Sequence, residues 1–373
     1  MSAEQIEADV IVVGAGIAGA GVAADLSRDH RVVILEMEDR PGYHTTGRSA
    51  AIFIQNYGNS VIRALSRASA PLFHAADRSL FPHPLLTPRG KLTVADADGV
   101  ERHRAMLAES EGLRQIDPAE AVAMVPILRR ENIVEASYEP DAHDIDVNAL
   151  HQGWLKLAKA NGARLVLGAE VLRGEQVGGG WSLETSGLRL RAPVVVNAAG
   201  AWGDRLAERL GIAPVGLQPM RRTMAVLPAP PDVDSRRWPL FEDASESWYA
   251  KPDGASLFVS PADEDPCEPH DAFVDDLVLA AGLDRFERMV TTPVTRVERS
   301  WAGLRTFAPD RTPIAGFDPA AVGFFWLAGQ GGYGIQTSPA LSALAATLIR
   351  RASVPEGLER TVVALSPARF RNK

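Results

Sequence analysis

The sequence predicts an α/β protein in which a parallel sheet with covering helices holds an interleaved antiparallel sheet. Three observations lead there. Residues 8–36 read as a buried strand, a helix and a second buried strand, a βαβ unit. The middle, about 215–300, alternates strand-like runs with proline-rich turns. The C-terminal part returns to the first theme, with an apolar strand, a glycine-rich turn and a helix.

In chain order, ADVIVVG is the first strand, AGIAGAGVAADLSRD a helix with a small-residue face, and HRVVILE the second strand. Their apolar, β-branched runs suit strands covered on both faces. Residues 37–60 are loop-rich, with a helical reading around SAAIF. Helices are predicted over 60–76 and 98–112, and a strand over KLTVAD from Lys91. A helix follows Asp146, WSLETSGLRLRA forms a hairpin, PVVVN another buried strand, and GDRLAERLG a short helix closed by glycine. GFFWLAG is an apolar strand, GQGGYGIQTSP a turn, and ALSALAATLIRR a helix. The implied division is discontinuous: residues 1–90, 145–215 and 300–373 form one domain, and 91–144 with 216–299 the other.

Composition excludes several function classes. A net charge of −8 argues against a nucleic-acid partner. The lone Cys267 rules out an intrachain disulfide or a cysteine-built metal site, and fits a cytoplasmic protein. The acidic N-terminus lacks the features of a secretory signal, and no apolar run approaches membrane-spanning length.

Gly14, Gly16 and Gly19 spell G-x-G-x-x-G at a strand-to-helix turn. The first glycine permits a tight turn, the second close approach of a pyrophosphate, and the third close helix–strand packing. The helix N-terminus offers free N–H groups to the phosphates. Glu36 ends the second strand, where a carboxylate accepts hydrogen bonds from ribose hydroxyls and disfavours a 2′-phosphate. A dinucleotide is therefore expected; the spacing alone does not separate FAD from NAD.

The remaining blocks do separate them. GAGIAG at 14–19, Glu36, GRSAA at 47–51, VVNAAGAW at 195–202, WAGLRTFAPDRTPIAG at 301–316 and GQGGYGIQTSP at 329–339 occur in one order along the chain. In this the chain resembles the FAD-dependent D-amino acid oxidase/glycine oxidase family of oxidoreductases, nearly end to end. Within it the closest likeness is to D-arginine dehydrogenase-type proteins, through GYHTTGRSAA, HPLLTPR, ALHQG and WAGLRTF. The resemblance implies a Rossmann-like FAD-binding domain holding FAD non-covalently, with His44 a neighbour rather than an attachment point. Ile17, Ala18 and Met37 would also bind the cofactor. Thr46, Gly47, Arg48, Ser49 and Ala51 would lie by the pyrophosphate and flavin, Arg48 offering charge and donors. Val171 would meet the adenine with its backbone. Ala198, Ala199, Gly200 and Trp202, with Gly303, would form a small-residue wall. Gly331, Gly332, Tyr333, Gly334, Ile335, Gln336 and Thr337 would form a second glycine-rich turn whose N–H groups stabilise charge on a reduced flavin.

The same resemblance places a substrate pocket. An amino acid's carboxylate suits a bidentate guanidinium, and Arg305 stands where the family places that arginine. Tyr249 would share the carboxylate and Arg222 would be a second pocket arginine, while Arg221 would point the opposite way on the same strand. Tyr57 would be a lid, Gly332 would offer its carbonyl to the substrate amine, and Gln336 would lie beside the ring. Two positions depart from the D-arginine dehydrogenase pattern. Ile52 and Ile54 replace a histidine and a threonine, making the pocket more apolar. Lys91 replaces an acidic residue. If Lys91 lines the pocket, it disfavours a basic substrate and favours an acidic or neutral one; the other reading is a solvent-facing lysine.

The chemistry implied is oxidation at Cα of a D-amino acid by hydride transfer to flavin N5, giving an imino acid that hydrolyses to a keto acid and ammonia. Oxygen or a quinone-like carrier would reoxidise the flavin. Three alternatives stay open at this point: an N-alkyl or cyclic amino acid as substrate, a 2-hydroxy acid as substrate, and a flavin-binding protein without turnover.

Overall fold

The computed structural model describes residues 4–231 and 233–371. Its central sheet runs Arg164–Val166, Val32–Leu35, Val10–Val13, Val194–Asn197, Phe324–Ala328, Ile314–Phe317. The first five strands are parallel and the last antiparallel. Val10–Val13 and Val32–Leu35 are buried at every position, as strands covered on both faces must be. Helix Ile17–Leu26 packs against helices Val147–Ala160 and Gly334–Ile349. Its small residues permit this: a Cβ on Gly21 would stand 2.3 Å from Ser342 Oγ and 2.8 Å from the Trp154 ring.

The second sheet runs Asp265–Pro266, Gln218–Pro228, Ser256–Ser260, Tyr249–Asp253, Leu240–Asp243, Lys91–Ala95, Glu135–Glu139, Arg114–Ile116, with Arg299–Phe307 also beside Gln218–Pro228. It is mixed rather than wholly antiparallel, because Leu240–Asp243 lies parallel to Lys91–Ala95. These strands come from distant parts of the chain, so no hairpin forces them to oppose each other. A four-stranded sheet of Glu4–Glu7, Leu188–Ala192, Gly180–Glu184 and Arg173–Val177 contains the expected hairpin.

Several local expectations are corrected. SAAIF is not helical: Ile52–Phe53 is a short strand paired with His143–Ile145, in keeping with its β-branched and aromatic residues. The middle of the chain also contains a helix, Asp276–Met289, capped by the Asp275 side chain at the Leu277 and Val278 N–H groups. Its buried Leu279, Leu283, Phe286 and Met289 carry the helical period that the proline-rich surroundings masked. The last long helix begins at Gly334, not Ala340, and runs through Pro339. Proline removes the N–H that would reach the Ile335 carbonyl, and Ser338 Oγ donates to that carbonyl instead, at 2.7 Å.

Candidate active site

One cavity runs from the first glycine-rich turn to the second sheet. At the turn, the three motif glycines behave differently. Gly14 has φ +106°, and a Cβ there would lie 2.3 Å from the Ala198 carbonyl oxygen. A Cβ on Gly19 would overlap the Gly14 carbonyl at 1.9 Å. A Cβ on Gly16 would meet only Thr46 Oγ1, at 3.2 Å, and Gly16 faces the cavity. Two glycines therefore close the turn and the third leaves room beside the N-terminus of helix Ile17–Leu26.

Side chains brace this turn from outside the motif. Glu36 accepts from the Ala15 N–H at 2.8 Å and the Glu38 N–H at 3.0 Å. Thr46 Oγ1 accepts from the Ile17 N–H at 3.0 Å. Buried His151, in the ALHQG stretch, donates from Nε2 to the Ala15 carbonyl at 2.8 Å, and burial pulls its pKa below 6.5. Nothing in its spacing marks His151 as part of the turn; only packing of its helix brings it there.

Ile17, Ala18, Met37, Ser49, Ala51, Ala198, Ala199, Gly200, Trp202 and Gly303 line the cavity. So do Gly331, Gly332, Gly334 and Ile335 of the second turn. Val171 lines it too; its carbonyl accepts from Arg209, while its N–H has no partner among the described residues. Gly19, Gly47, Tyr333 and Thr337 stand outside the lining and shape it. A Cβ on Gly47 would meet the Gly42 carbonyl at 2.6 Å, and Thr337 Oγ1 donates to the Tyr333 carbonyl at 2.9 Å. Arg48 departs from its expected role. It lines the cavity, but its guanidinium binds Asp271 and donates to the Ala272 and Ala302 carbonyls, both at 3.0 Å. Its donors tie the loop around 271 to strand Arg299–Phe307 instead of facing the cavity freely. His44 is 2.8 Å from Glu38 and packs on Trp202.

At the sheet end, Arg305, Tyr249, Arg222, Tyr57, Gly332, Gln336, Lys91 and Ile52 all line the same cavity. The Arg305 guanidinium makes no hydrogen bond or ion pair among the described residues, and a Cβ on Gly332 would touch it at 3.0 Å. Burial opposes its charge, but nearby Tyr57, Tyr249 and Glu264 outweigh that and leave its pKa raised. Arg222 bonds Glu264 at 3.0 Å, and its Nε is buried without a partner. Burial, then repulsion from Arg305, lowers the Arg222 pKa. Glu264 is bound by both Arg222 and Arg311, so the two guanidiniums of Arg305 and Arg222 facing one cavity leave capacity for a ligand anion. Arg221 points away, to Asp265 at 2.8 Å.

Tyr57 and Tyr333 stack edge to face at 4.8 Å. Burial, then Tyr57, pushes the Tyr333 phenol up to about 12. Gln336 is committed to structure: its amide takes the Ile54 N–H at 3.1 Å, donates to the Ile54 carbonyl at 3.2 Å, and donates to Ser66 Oγ at 2.8 Å. It thereby holds apolar Ile52 and Ile54 at the cavity wall. Lys91 does not face solvent. It is 8% exposed, lines the cavity, and pairs with Glu242 at 2.6 Å. Glu242 is the residue that sequence reading missed; FED on a short strand carries no signal until its neighbour across the sheet is known.

A family model described as "FAD dependent oxidoreductase" (DAO) matches residues 9–348. Glycine oxidase of Geobacillus kaustophilus is 27% identical over 368 residues, spanning 92% of this chain and 93% of its own. The solved structure of glycine oxidase from Geobacillus kaustophilus superposes with a TM-score of 0.82 at 25% identity, covering 97% of this chain and 98% of that one. L-proline dehydrogenase from P. horikoshii superposes with a TM-score of 0.85 at 20% identity, covering 98% of both chains, a likeness of fold. The glycine-turn geometry and the room at Gly16 fit FAD, which is the cofactor of this family. Among the described residues no helix is long and apolar enough to cross a membrane, and no group of side chains has metal-binding geometry.

Proposed function

The chain belongs to the DAO family of FAD-dependent oxidoreductases, and from that premise we propose that it oxidises the Cα–N bond of a D-amino acid. The half-buried Arg305 guanidinium, without a hydrogen-bond or ion-pair partner among the described residues, carries this reading from within the cavity of the glycine-rich turn. Arg305 and Tyr249 bind the α-carboxylate, with Arg222 adding charge. The Gly332 carbonyl accepts from the amine, and Tyr57 covers the bound substrate. When bound, FAD supplies the acceptor for the two electrons and the hydrogen leaving Cα. The imino acid then takes up water to give a keto acid and ammonia. Ile52 presents no base, so the amine loses its proton through solvent and the reductive rate rises with pH. In this reading residues 1–90, 145–215 and 300–373 hold FAD and 91–144 with 216–299 form most of the substrate sheet, which strand Arg299–Phe307 joins and to whose pocket Tyr57, Arg305 and Gly332 contribute from the FAD-holding segments.

The glycine oxidase relative supports an amino-acid substrate. The apolar wall of Ile52, Ile54, Met224 and Leu240 favours an N-alkyl or cyclic amino acid as the second reading. Anaerobic bleaching of the flavin band by a panel of D- and L-amino acids, N-methyl amino acids, proline and 2-hydroxy acids tests both. Fast bleaching by primary D-amino acids is expected. Bleaching by secondary amines alone moves the activity to the second reading, and bleaching by hydroxy acids alone rejects both.

A further inference from the structure

The sheet that carries Tyr249 and Arg305 also carries an ion pair that oxidation at Cα does not use. Lys91 lies opposite Leu240 on the parallel strand, and Glu242 lies opposite Tyr249 on the next. Strand alternation puts Leu240 and Glu242 on one face, and Lys91, Leu240, Glu242 and Tyr249 all line the cavity. Glu242 therefore sits one strand spacing, about 4.8 Å, from the tyrosine of the carboxylate clamp, with Lys91 on the strand beyond.

Its bonding is incomplete. Lys91 Nζ meets Glu242 Oε1 at 2.6 Å, and Thr93 Oγ1 reaches the same oxygen at 3.4 Å. Among the described residues, neither the other ammonium hydrogens nor Glu242 Oε2 has a protein hydrogen-bond partner. Burial works against the ammonium, but Glu242 and then Glu139 outweigh it and hold the Lys91 pKa above its usual value. Glu139, opposite Lys91 on the other side, is 4% exposed and bound to Asn56 at 2.9 Å. The cavity wall thus offers spare donors and a spare acceptor side by side, beside one ammonium and two carboxylates whose pKa values burial raises.

A ligand group that satisfies both must donate and accept without adding charge. A cationic end competes with Lys91 for Glu242 and is repelled by the ammonium. An anionic end is drawn to Lys91 but meets Glu242 and, one strand beyond, Glu139. A methyl end leaves the donors and acceptor unpaired. Building on the amino-acid reading above, we propose that Lys91 and Glu242 form a side-chain subsite for a neutral carboxamide, as in asparagine or glutamine. Lys91 Nζ donates to the amide oxygen, and Glu242 Oε2 accepts from the amide N–H.

The test is equilibrium binding to the holoenzyme, which does not depend on turnover. Glutaramate, glutarate and pentanoate share one carboxylate and differ at the far end: amide, carboxylate or methyl. Each is titrated while the visible flavin band is followed. Glutaramate is expected to bind at least about tenfold more tightly than either of the others. In Lys91→Met/Glu242→Leu that advantage disappears and pentanoate gains. Equal binding of the three, or preference for glutarate or pentanoate, overturns the subsite and leaves the amino-acid reading standing. No perturbation by any of them removes the carboxylate clamp, and both proposals fall. The wild-type ranking decides the matter even if the double variant does not fold. Flavin reduction supplies the second measurement, with glutamine expected to outpace glutamate and lysine by about tenfold; a faster reaction with lysine reverses the assignment.

Discussion

At the glycine-rich turn the cavity is bounded by main chain, and the surrounding side chains Glu36, Thr46 and His151 all spend hydrogen bonds on holding that main chain in place. On the second sheet the cavity is bounded by charged side chains, and among the described residues Arg305 has no partner while Arg222 and Lys91 are only partly satisfied. The first region is completed by the fold. The second is incomplete in bonding terms, and in the function proposed above its unsatisfied polar groups are the ones that meet substrate. Damage to the first should therefore cost the cofactor, and damage to the second should cost substrate while sparing the cofactor.

The largest effect breaks the first region. Gly14→Ala meets both a positive φ and the Ala198 carbonyl at 2.3 Å, so it should destabilise the protein by more than about 4 kcal/mol and yield little folded material. Gly16→Ala sharpens the point. Its Cβ meets only Thr46 Oγ1, at 3.2 Å, which must give by a few tenths of an ångström, so the melting temperature of the apoprotein should fall far less than in Gly14→Ala while FAD affinity falls by about tenfold or more. Equal melting temperatures for the two variants would contradict the distinction drawn between these glycines.

Next in size, Arg305→Lys should keep full flavin content but lower kcat/KM for amino acids by roughly 10²–10³-fold, because an ammonium does not replace a planar fork. Loss of flavin in this variant would dissolve the contrast between the regions. Gln336→Leu tests the seam between them. It leaves the Ile54 main chain and Ser66 without their buried partner, and should cost about 1–3 kcal/mol in denaturant unfolding.

The smallest effect is one of pH. Burial lowers the His151 pKa in the folded protein below 6.5, so the unfolded chain binds the proton more readily. The stability associated with neutral His151 is fully present above about pH 6.5 and is lost as pH falls towards the folded-state pKa. Melting curves of the apoprotein across pH 7 to 5 should fall less steeply in His151→Gln than in wild type.

The sequence by itself determined the α/β class, the strand–turn–helix at Gly14, Gly16 and Gly19, the carboxylate at Glu36, and the opposite facing of Arg221 and Arg222. Each follows from local rules: a residue's φ range, the period of burial, the alternation of a strand. Most residues expected at the cofactor and substrate line one cavity, while Gly19, Gly47, Tyr333 and Thr337 stand just outside its lining and shape it. Tertiary structure alone decided the rest. It turned Arg48 towards Asp271, made Ile52–Phe53 a strand, set one parallel pair in the second sheet, and took Lys91 out of solvent to face Glu242. The physical reason is common to these four. A long charged side chain or a short apolar stretch has many nearly equivalent local states, and the choice among them rests on which distant strand or carboxylate stands alongside it. Desolvation makes that choice binding, since a buried donor or strand edge must find a partner there or not be buried at all.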